Sequence, residues 1–405
     1  MRVLMLSWEY PPVMVGGLGR HVHELCRSLA SIGHEVTVLT RAGEQRDSEV
    51  DEHHNGVRVV RVPPDPALPS LSADDLIAWT LGLNHALTRA GLSLDGRFDV
   101  VHAHDWLVAH AAANLRQFTT APLVATLHAT ESGRRHGELR TELNRTIHRV
   151  EQWLMDQADR VVVCSDHMRQ EARRLFQVPS DRLEMIPNGV DRQRWQPDPA
   201  AVRRVREAYP GPLLVYAGRL VREKGLSDLL DATAQLRLRN PGLRLVIAGD
   251  GHRRAQLEAE ARQLRLDGAV RFTGFLPRPE LSALLAAASV VVVPSRYEPF
   301  GMVALEAAAA GAPRVVAATG GLAETVADGH SGLTFSPGDV SGLVQAVERI
   351  LREPGLADRL VRAAEEALRS EYDWLRIAER TAEVYRNANA RDSPTFDDAI
   401  VRTGR

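Results

Sequence analysis

Cysteine, lysine and aromatic residues are all scarce in this 405-residue chain. The two cysteines, Cys26 and Cys164, cannot build a disulfide framework or a four-thiolate zinc site. They suit a reducing compartment, here expected to be the cytoplasm. With 50 basic against 52 acidic residues, the net charge of −2 provides no field to hold nucleic acid or an anionic membrane. The longest apolar run, around residues 284–293, is shorter than the ~18–20 residues a membrane span needs. The start, MRVLML followed by the polar, proline-broken SWEYPP, lacks the basic-then-apolar pattern of a signal peptide. Lysine is nearly missing: 49 of the 50 basic residues are arginine, and Lys224 is the only lysine. Such a bias replaces lysine wherever a generic positive charge suffices, so a retained lysine marks a place that wants a compact point charge instead of a planar fork. A surface lysine surviving by chance is the plain alternative.

What is present is a repeating pattern. A single core stops growing at roughly 250–300 residues, so two domains are expected. Short β-branched runs alternate with helical patterns throughout. Strands are expected at 2–7, 34–41, 57–62, 99–104, 123–128, 160–164 and 183–186, with helices at 18–31, 74–90 and 142–157. The pattern restarts with strands at 213–217, 243–248, 270–273, 290–294, 314–318 and 332–335, and with helices at 226–238, 253–266, 279–287, 303–310 and 340–352. Several strands are continuous apolar runs, as in parallel sheets covered on both faces. The expected fold class is therefore α/β, with two Rossmann-like doubly wound domains facing a cleft. The seam falls in the Pro/Gly-rich, weakly periodic stretch 187–212, giving domains 1–188 and 189–373. Residues 389–405, with Asp392-Ser393-Pro394, are expected to form a flexible tail.

Five motifs gather polar groups at strand ends. After the first strand, EYPPVMVGGLGR sets Gly16, Gly17 and Gly19 before a helix, where backbone N–H groups can approach a phosphate or a sugar. It is not the G-x-G-x-x-G fingerprint of dinucleotide binding, and an ordinary turn remains open. HAHDW (102–106) and LHATE (127–131) end two further strands. A metal site on His102, His104 and Asp105 is not expected, because strand alternation separates neighbours and no third ligand follows at suitable spacing. His128 reads equally as a structural or a functional histidine. In YAGRLVREKG (216–225), Arg219 and Lys224 lie five apart before a helix start, placed to converge on a diphosphate; two solvated loop charges are the bland reading. In SRYEPFGMVALEAAAAG (295–311), Glu298 and Glu306 bracket a helix start at Phe300-Gly301-Met302. Free N–H groups there can bind hydroxyls or phosphate oxygens, and the carboxylates can accept from sugar hydroxyls. A first-turn charge plus a surface glutamate is the alternative.

Taken together, GGLG after EYPP, HAHDW, the GRL…EKG pair and E-x7-E in EPFGMVALEA resemble family 4 retaining glycosyltransferases of the GT-B fold, from residue 1 to about 386. Glycogen-synthase-like members are the nearest in pattern, especially the actinobacterial α-(1→4)-glucosyltransferases of glycogen and methylglucose polysaccharide synthesis. The resemblance implies that Glu298 contacts the donor sugar hydroxyls and Glu306 the nucleotide ribose, with Phe300, Gly301 and Met302 beside the donor. It implies that Arg219 and Lys224 neutralise the departing diphosphate and that His128 sits by the donor sugar. Gly16 and Gly17 would lie at the phosphates, and Asp105 and Trp106 toward the acceptor. Bacterial glycogen synthases carry Lys-x-Gly-Gly in the first loop, whereas Met14-Val15 precede Gly16-Gly17 here, which weakens the carry-over to that loop. A returning C-terminal helix is implied at about 374–388.

The implied reaction moves glucose from UDP- or ADP-glucose to an α-(1→4)-glucan with retention, the leaving phosphate helping to take the acceptor proton. No cofactor and no metal are expected. The chain has no Asp-x-Asp, the motif by which GT-A glycosyltransferases hold a divalent ion, so arginine, lysine and helix N-termini must offset the diphosphate charge. Neither nucleic acid nor membrane insertion is expected. Trp8, Tyr10 and Trp106 are candidate sugar-stacking groups. One rival is synthesis of maltose 1-phosphate from glucose 1-phosphate, for which Arg134 and Arg135 offer cations. A nucleotide-sugar epimerase is a rival of a different class.

Overall fold

Runs such as Val290–Val293 and Leu213–Ala217 carry no polar face, so only a sheet covered on both sides by helices buries them. In the computed structural model of the chain, residues 1–13, 16–43, 49–63, 71–72 and 74–389 are described. The chain divides into two compact units, one built of Met1–Pro187 with the helix Trp374–Asn389, the other of Asn188–Asp373.

Among the described residues, the first unit holds eight strands: β1 (Arg2–Leu6), β2 (Glu35–Arg41), β3 (Val50–His54), β4 (Val57–Val62), β5 (Val100–His104), β6 (Leu123–Leu127), β7 (Arg160–Val163) and β8 (Leu183–Met185). Their order is β3-β4-β2-β1-β5-β6-β7-β8, all pairs parallel except β3 with β4. β3 was not expected from the sequence: VDEHH is polar and mostly exposed, an edge strand made by its hairpin. Met5 and Val38 of the sheet pack with Val22, Leu25 and Leu29 of the helix Gly17–Ser31 and with Ile377 and Tyr385 of the helix Trp374–Asn389. Burying each such aliphatic side chain is worth about 1.5–3 kcal/mol, which fixes the last helix onto this unit. That helix continues through Asn389, whose amide donates to the Asp99 carbonyl at 3.1 Å, so Asn389 is helical and not part of the tail expected from 389. Residues 390–405 lie outside the described residues.

The second unit has a six-stranded, all-parallel sheet: β9 (Leu213–Ala217), β10 (Arg244–Ala248), β11 (Val270–Gly274), β12 (Val290–Val293), β13 (Arg314–Ala317) and β14 (Leu333–Phe335), in the order β11-β10-β9-β12-β13-β14. The stretch read as linker contains a helix, Pro199–Ala208, started by Asp198, whose carboxylate accepts the Ala200 N–H at 3.0 Å. Pro199 at its first position is a helix-start signal, not only a breaker. In each sheet the strand order reverses once at the centre, between β1 and β5 and between β9 and β12. Loops leaving the carboxyl ends of strands diverge at such a point, which opens a crevice for ligands. The loops that diverge, after β1, β5, β9 and β12, carry four of the five motifs.

Candidate active site

In the second unit, the loop after β9 and the loop after β12 are stitched to each other. The Arg296 N–H donates to the Glu223 carbonyl at 2.8 Å, and the Arg296 guanidinium grips Asp228 with contacts of 2.7 and 3.0 Å. Gly225 stands at φ +66 with its α-carbon pressed on β12: a β-carbon there would lie 2.0 Å from the Pro294 carbonyl oxygen. Only glycine permits that approach. Lys224 and Glu298 are thereby brought together, with Nζ donating to Oε2 at 2.7 Å and both side chains about one-sixth exposed (15% and 16%). The Ser295 hydroxyl donates to the same oxygen at 3.0 Å and itself is fully buried. Sequence reasoning had not singled out Ser295 or Arg296; only their place inside the motif could have flagged them.

Arg219 is held differently. Its carbonyl accepts the buried Tyr216 hydroxyl at 2.9 Å, while its guanidinium lies 3.7 Å from Glu223 and is half-exposed. Gly301, at φ +98, caps the helix Met302–Ala309 with no side-chain acceptor, and no acid occupies the first turn. Phe300 is buried, edge-on to Tyr372 at 6.1 Å, so it offers a ligand its backbone and not its ring. Glu306, on the second turn, is 1% exposed.

In the first unit, the loop after β1 is pinned by Glu9. The Ser7 hydroxyl donates to the Glu9 carbonyl at 2.7 Å, and the Glu9 carboxylate accepts the Gly16 N–H at 3.0 Å. That N–H, expected to face a phosphate, is therefore already engaged. Gly17 opens the helix Gly17–Ser31, whose first turn carries no acid.

Asp105 follows β5 with φ +60 and ψ 175, a region that essentially only glycine visits, at a cost of order 1–3 kcal/mol. It is 5% exposed and is held there by accepting the His128 N–H at 2.7 Å. Burial pushes its carboxyl up to about 6, against the pull of Arg134 and of the His128 and Ala129 N–H groups. Trp106 and Tyr10 are buried in this unit, which removes both as freely exposed sugar platforms. Trp8 is partly exposed, edge-on to Trp79 at 6.3 Å, with the Arg41 guanidinium over its ring. Arg135 donates to the buried Glu131 at 2.9 Å, and Arg134 lies 4.0 Å from the same carboxylate. The rival acceptor-phosphate pair is thus partly neutralised.

Behind Asp105 lies a set of histidines. His102 bridges the Tyr385 hydroxyl and the Thr126 hydroxyl, each at 2.7 Å. His104 bonds His128 through Nδ1 and Nε2 at 2.9 Å and sets its other nitrogen 2.9 Å from the Met5 sulfur. His21 joins them, so that ligand nitrogens of His21, His104 and His128 all lie within 4.8 Å of one another. His104's imidazole neighbours His21 and His128 come from other elements, far away in sequence, where spacing along HAHDW gives no sign of them. Burial holds the His102 and His104 imidazoles well below their ordinary range and pushes His128 down to about 3, Arg134 adding to the last. His128 keeps partial solvent contact.

A histidine neutral in the fold but charged when unfolded stabilises fully above pH ~6.5, and that stability is lost as pH falls. Asp105 and Glu151, raised by burial, act in the opposite sense. His102→Gln should therefore flatten the stability–pH slope below pH 6.5 by about one proton, or about 1.4 kcal/mol per pH unit. Urea unfolding at pH 5, 6 and 7 measures this; equal slopes in variant and wild type would show that His102 is not held neutral.

Comparison with known proteins places this arrangement. Residues 15–194 match the glycosyltransferase family 4 profile and residues 201–367 the glycosyl transferases group 1 profile. The chain is 47% identical over 397 residues to the glycogen synthase of Mycobacterium tuberculosis (strain CDC 1551 / Oshkosh), covering 95% of this chain and 94% of that one. It is 34% identical to the D-inositol 3-phosphate glycosyltransferase of Kribbella flavida, over 96% of each chain. Sucrose-phosphate synthase from Thermosynechococcus elongatus superposes with a TM-score of 0.85 at 28% identity, covering 96% of this chain and all of that one. With these matches spanning both doubly wound units, the chain belongs to glycosyltransferase family 4, as a glycogen-synthase-like glycosyltransferase of the GT-B fold.

Proposed function

We propose that the protein is a retaining α-glucosyltransferase that moves glucose from UDP- or ADP-glucose to the end of an α-(1→4)-glucan. The observation that carries the reading is the Lys224–Glu298 pair at the switch point of the second sheet. A carboxylate held by Lys224 and Ser295 keeps lone pairs for vicinal sugar hydroxyls, while the ammonium's other protons remain for a diphosphate. As the bond from the anomeric carbon to the phosphate oxygen breaks, charge accumulates on that diphosphate, and a fixed ammonium meets it without reorganising. The acceptor hydroxyl forms its bond to the anomeric carbon on the same face, and its proton passes to the departing phosphate. No protein nucleophile is assigned. Arg219 is the second cation for the diphosphate, Glu306 the ribose acceptor, and Phe300, Gly301 and Met302 supply backbone around the donor. The helix that begins at Gly17 offers N–H groups to phosphate, with Gly16 bracing the loop. His128 stands beside the donor sugar, and Asp105 and Trp106 belong to the acceptor side. With Lys224 and Arg219 in this role, turnover is expected to need no metal.

The name-giving relatives support a glucosyl donor: a glycogen synthase and a sucrose-phosphate synthase are both among them. The two buried thiols, Cys26 and Cys164, fit a reducing compartment such as the cytoplasm. Among the described residues, no helix is long and apolar enough to cross a membrane.

A second reading has its own support. The Kribbella relative is named for a phosphorylated acceptor, and here Arg134 and Arg135 lie side by side around Glu131, where cations could meet a phosphate such as that of glucose 1-phosphate. Competition decides between them. Maltooligosaccharide and glucose 1-phosphate, at equal concentration with one donor, should yield mainly elongated glucan by mass spectrometry. Exclusive formation of a phosphorylated disaccharide would overturn the glucan reading and leave the donor site standing.

A further inference from the structure

The three imidazoles of His21, His104 and His128 come from three elements: the first helix, the last residue of β5 and the residue after β6. Their rings are in contact, with centroids 4.8 Å apart for His21–His128, 5.2 Å for His104–His128 and 5.5 Å for His21–His104. The cluster is braced from behind by the Met5 sulfur on His104 and by the His102 ring, 4.3 Å from that of His104. Three imidazoles suit zinc, copper, nickel or cobalt and are poor ligands for magnesium or calcium, which take oxygen.

The geometry is near that of a three-histidine centre. With Zn–N bonds of about 2.0–2.1 Å, tetrahedral ligand nitrogens stand about 3.3 Å apart. His104 Nδ1 and His128 Nε2 are already 2.9 Å apart, so an ion between them opens that contact by a few tenths of an ångström. The remaining nitrogen pairs lie within 4.8 Å, a gap that rotation of the His21 side chain closes. The proton now shared by His104 and His128 shifts to the far nitrogen of the ring that carries it, so the three rings stay neutral on binding. His21 and His104 are buried and His128 is partly exposed, which leaves the fourth position toward solvent.

We propose that His21, His104 and His128 form an inhibitory site for a borderline divalent cation, Zn²⁺ foremost. An ion held there draws the His128 ring onto itself and occupies the space that ring faces, so donor turnover stops. The inhibition rests on the reading of His128 given under Proposed function; the binding does not.

Metal-free protein, prepared with EDTA and desalted, is titrated with Co²⁺ while visible absorption is followed, and Zn²⁺ is then added. One equivalent of Co²⁺ should give the intense bands of a tetrahedral nitrogen site, and Zn²⁺ should abolish them. Micromolar Zn²⁺ should reduce glucosyl transfer at least tenfold, EDTA should restore it, and millimolar Mg²⁺ should do neither. His21→Phe keeps the ring volume and lacks the nitrogens; it should lose the cobalt bands and weaken zinc inhibition at least tenfold while retaining metal-free turnover. His21→Gln repeats the test if the phenylalanine variant does not fold. Absence of cobalt bands in the wild-type protein, or equal zinc affinity in wild type and variant, would overturn the site. Binding without inhibition would overturn its inhibitory role. Because the cobalt titration needs no substrate, failure of this site and failure of the glucosyl-transfer reading are read separately.

Discussion

Lys224→Ala should lower kcat about a hundred- to thousandfold, because a preorganised donor aimed at developing negative charge is worth about 3–4 kcal/mol. The effect belongs to kcat more than to KM: the charge on the leaving diphosphate grows only in the transition state. The structure adds a second penalty. Glu298 bonds Lys224 at 2.7 Å, and without that partner a carboxylate of low exposure is left facing a diphosphate, so donor binding should also weaken. Lys224→Arg should be a poor rescue. The ammonium shares one oxygen of Glu298 with the Ser295 hydroxyl, in a slot set by the close contact of Gly225 with Pro294, and a planar fork does not reproduce a point donor there. Steady-state kinetics over donor concentration test both variants. Wild-type turnover in either would end the leaving-group assignment.

Gly225→Ala should strongly destabilise the second unit. Its φ of +66 is costly for alanine, and the new methyl would sit 2.0 Å from the Pro294 oxygen and 3.0 Å from its carbonyl carbon. Both obstacles are backbone at the end of a buried strand, so no side chain can swing aside. Overpacking and the left-handed backbone together should cost about 3 kcal/mol or more, roughly 6–12 °C in the transition of a unit this size. Activity should fall as well, because the same contact holds Lys224 against Glu298. Calorimetry of the variant, with nucleotide binding measured below its transition, checks this. An unchanged transition temperature would mean that the two loops are not pressed together.

Legibility in the sequence followed the physics of each element. Parallel strands buried on both faces announce themselves as apolar runs, and polar motifs at their carboxyl ends point to the switch points because that is where strand ends diverge. Elements whose definition lies elsewhere were hidden. β3 is a polar edge strand whose existence depends on its antiparallel partner β4, and Pro199 reads as punctuation until Asp198 is seen capping the helix behind it. The strain at Asp105 cannot be inferred from residue type, since aspartate has no preference for that backbone. Nor does spacing foretell that His21 meets His104 and His128, or that Glu131 engages Arg134 and Arg135, because those meetings are made by packing.

Retaining transfer of a glucosyl group is measured most directly by proton NMR of the product. The protein is incubated with UDP-glucose or ADP-glucose and maltotriose, and the anomeric signals are followed as nucleoside diphosphate is released. A new α-configured (1→4) linkage is expected, formed one-for-one with the released diphosphate and nearly absent in Lys224→Ala. A β-linked product, or an epimerised nucleotide sugar with no transfer, would contradict it.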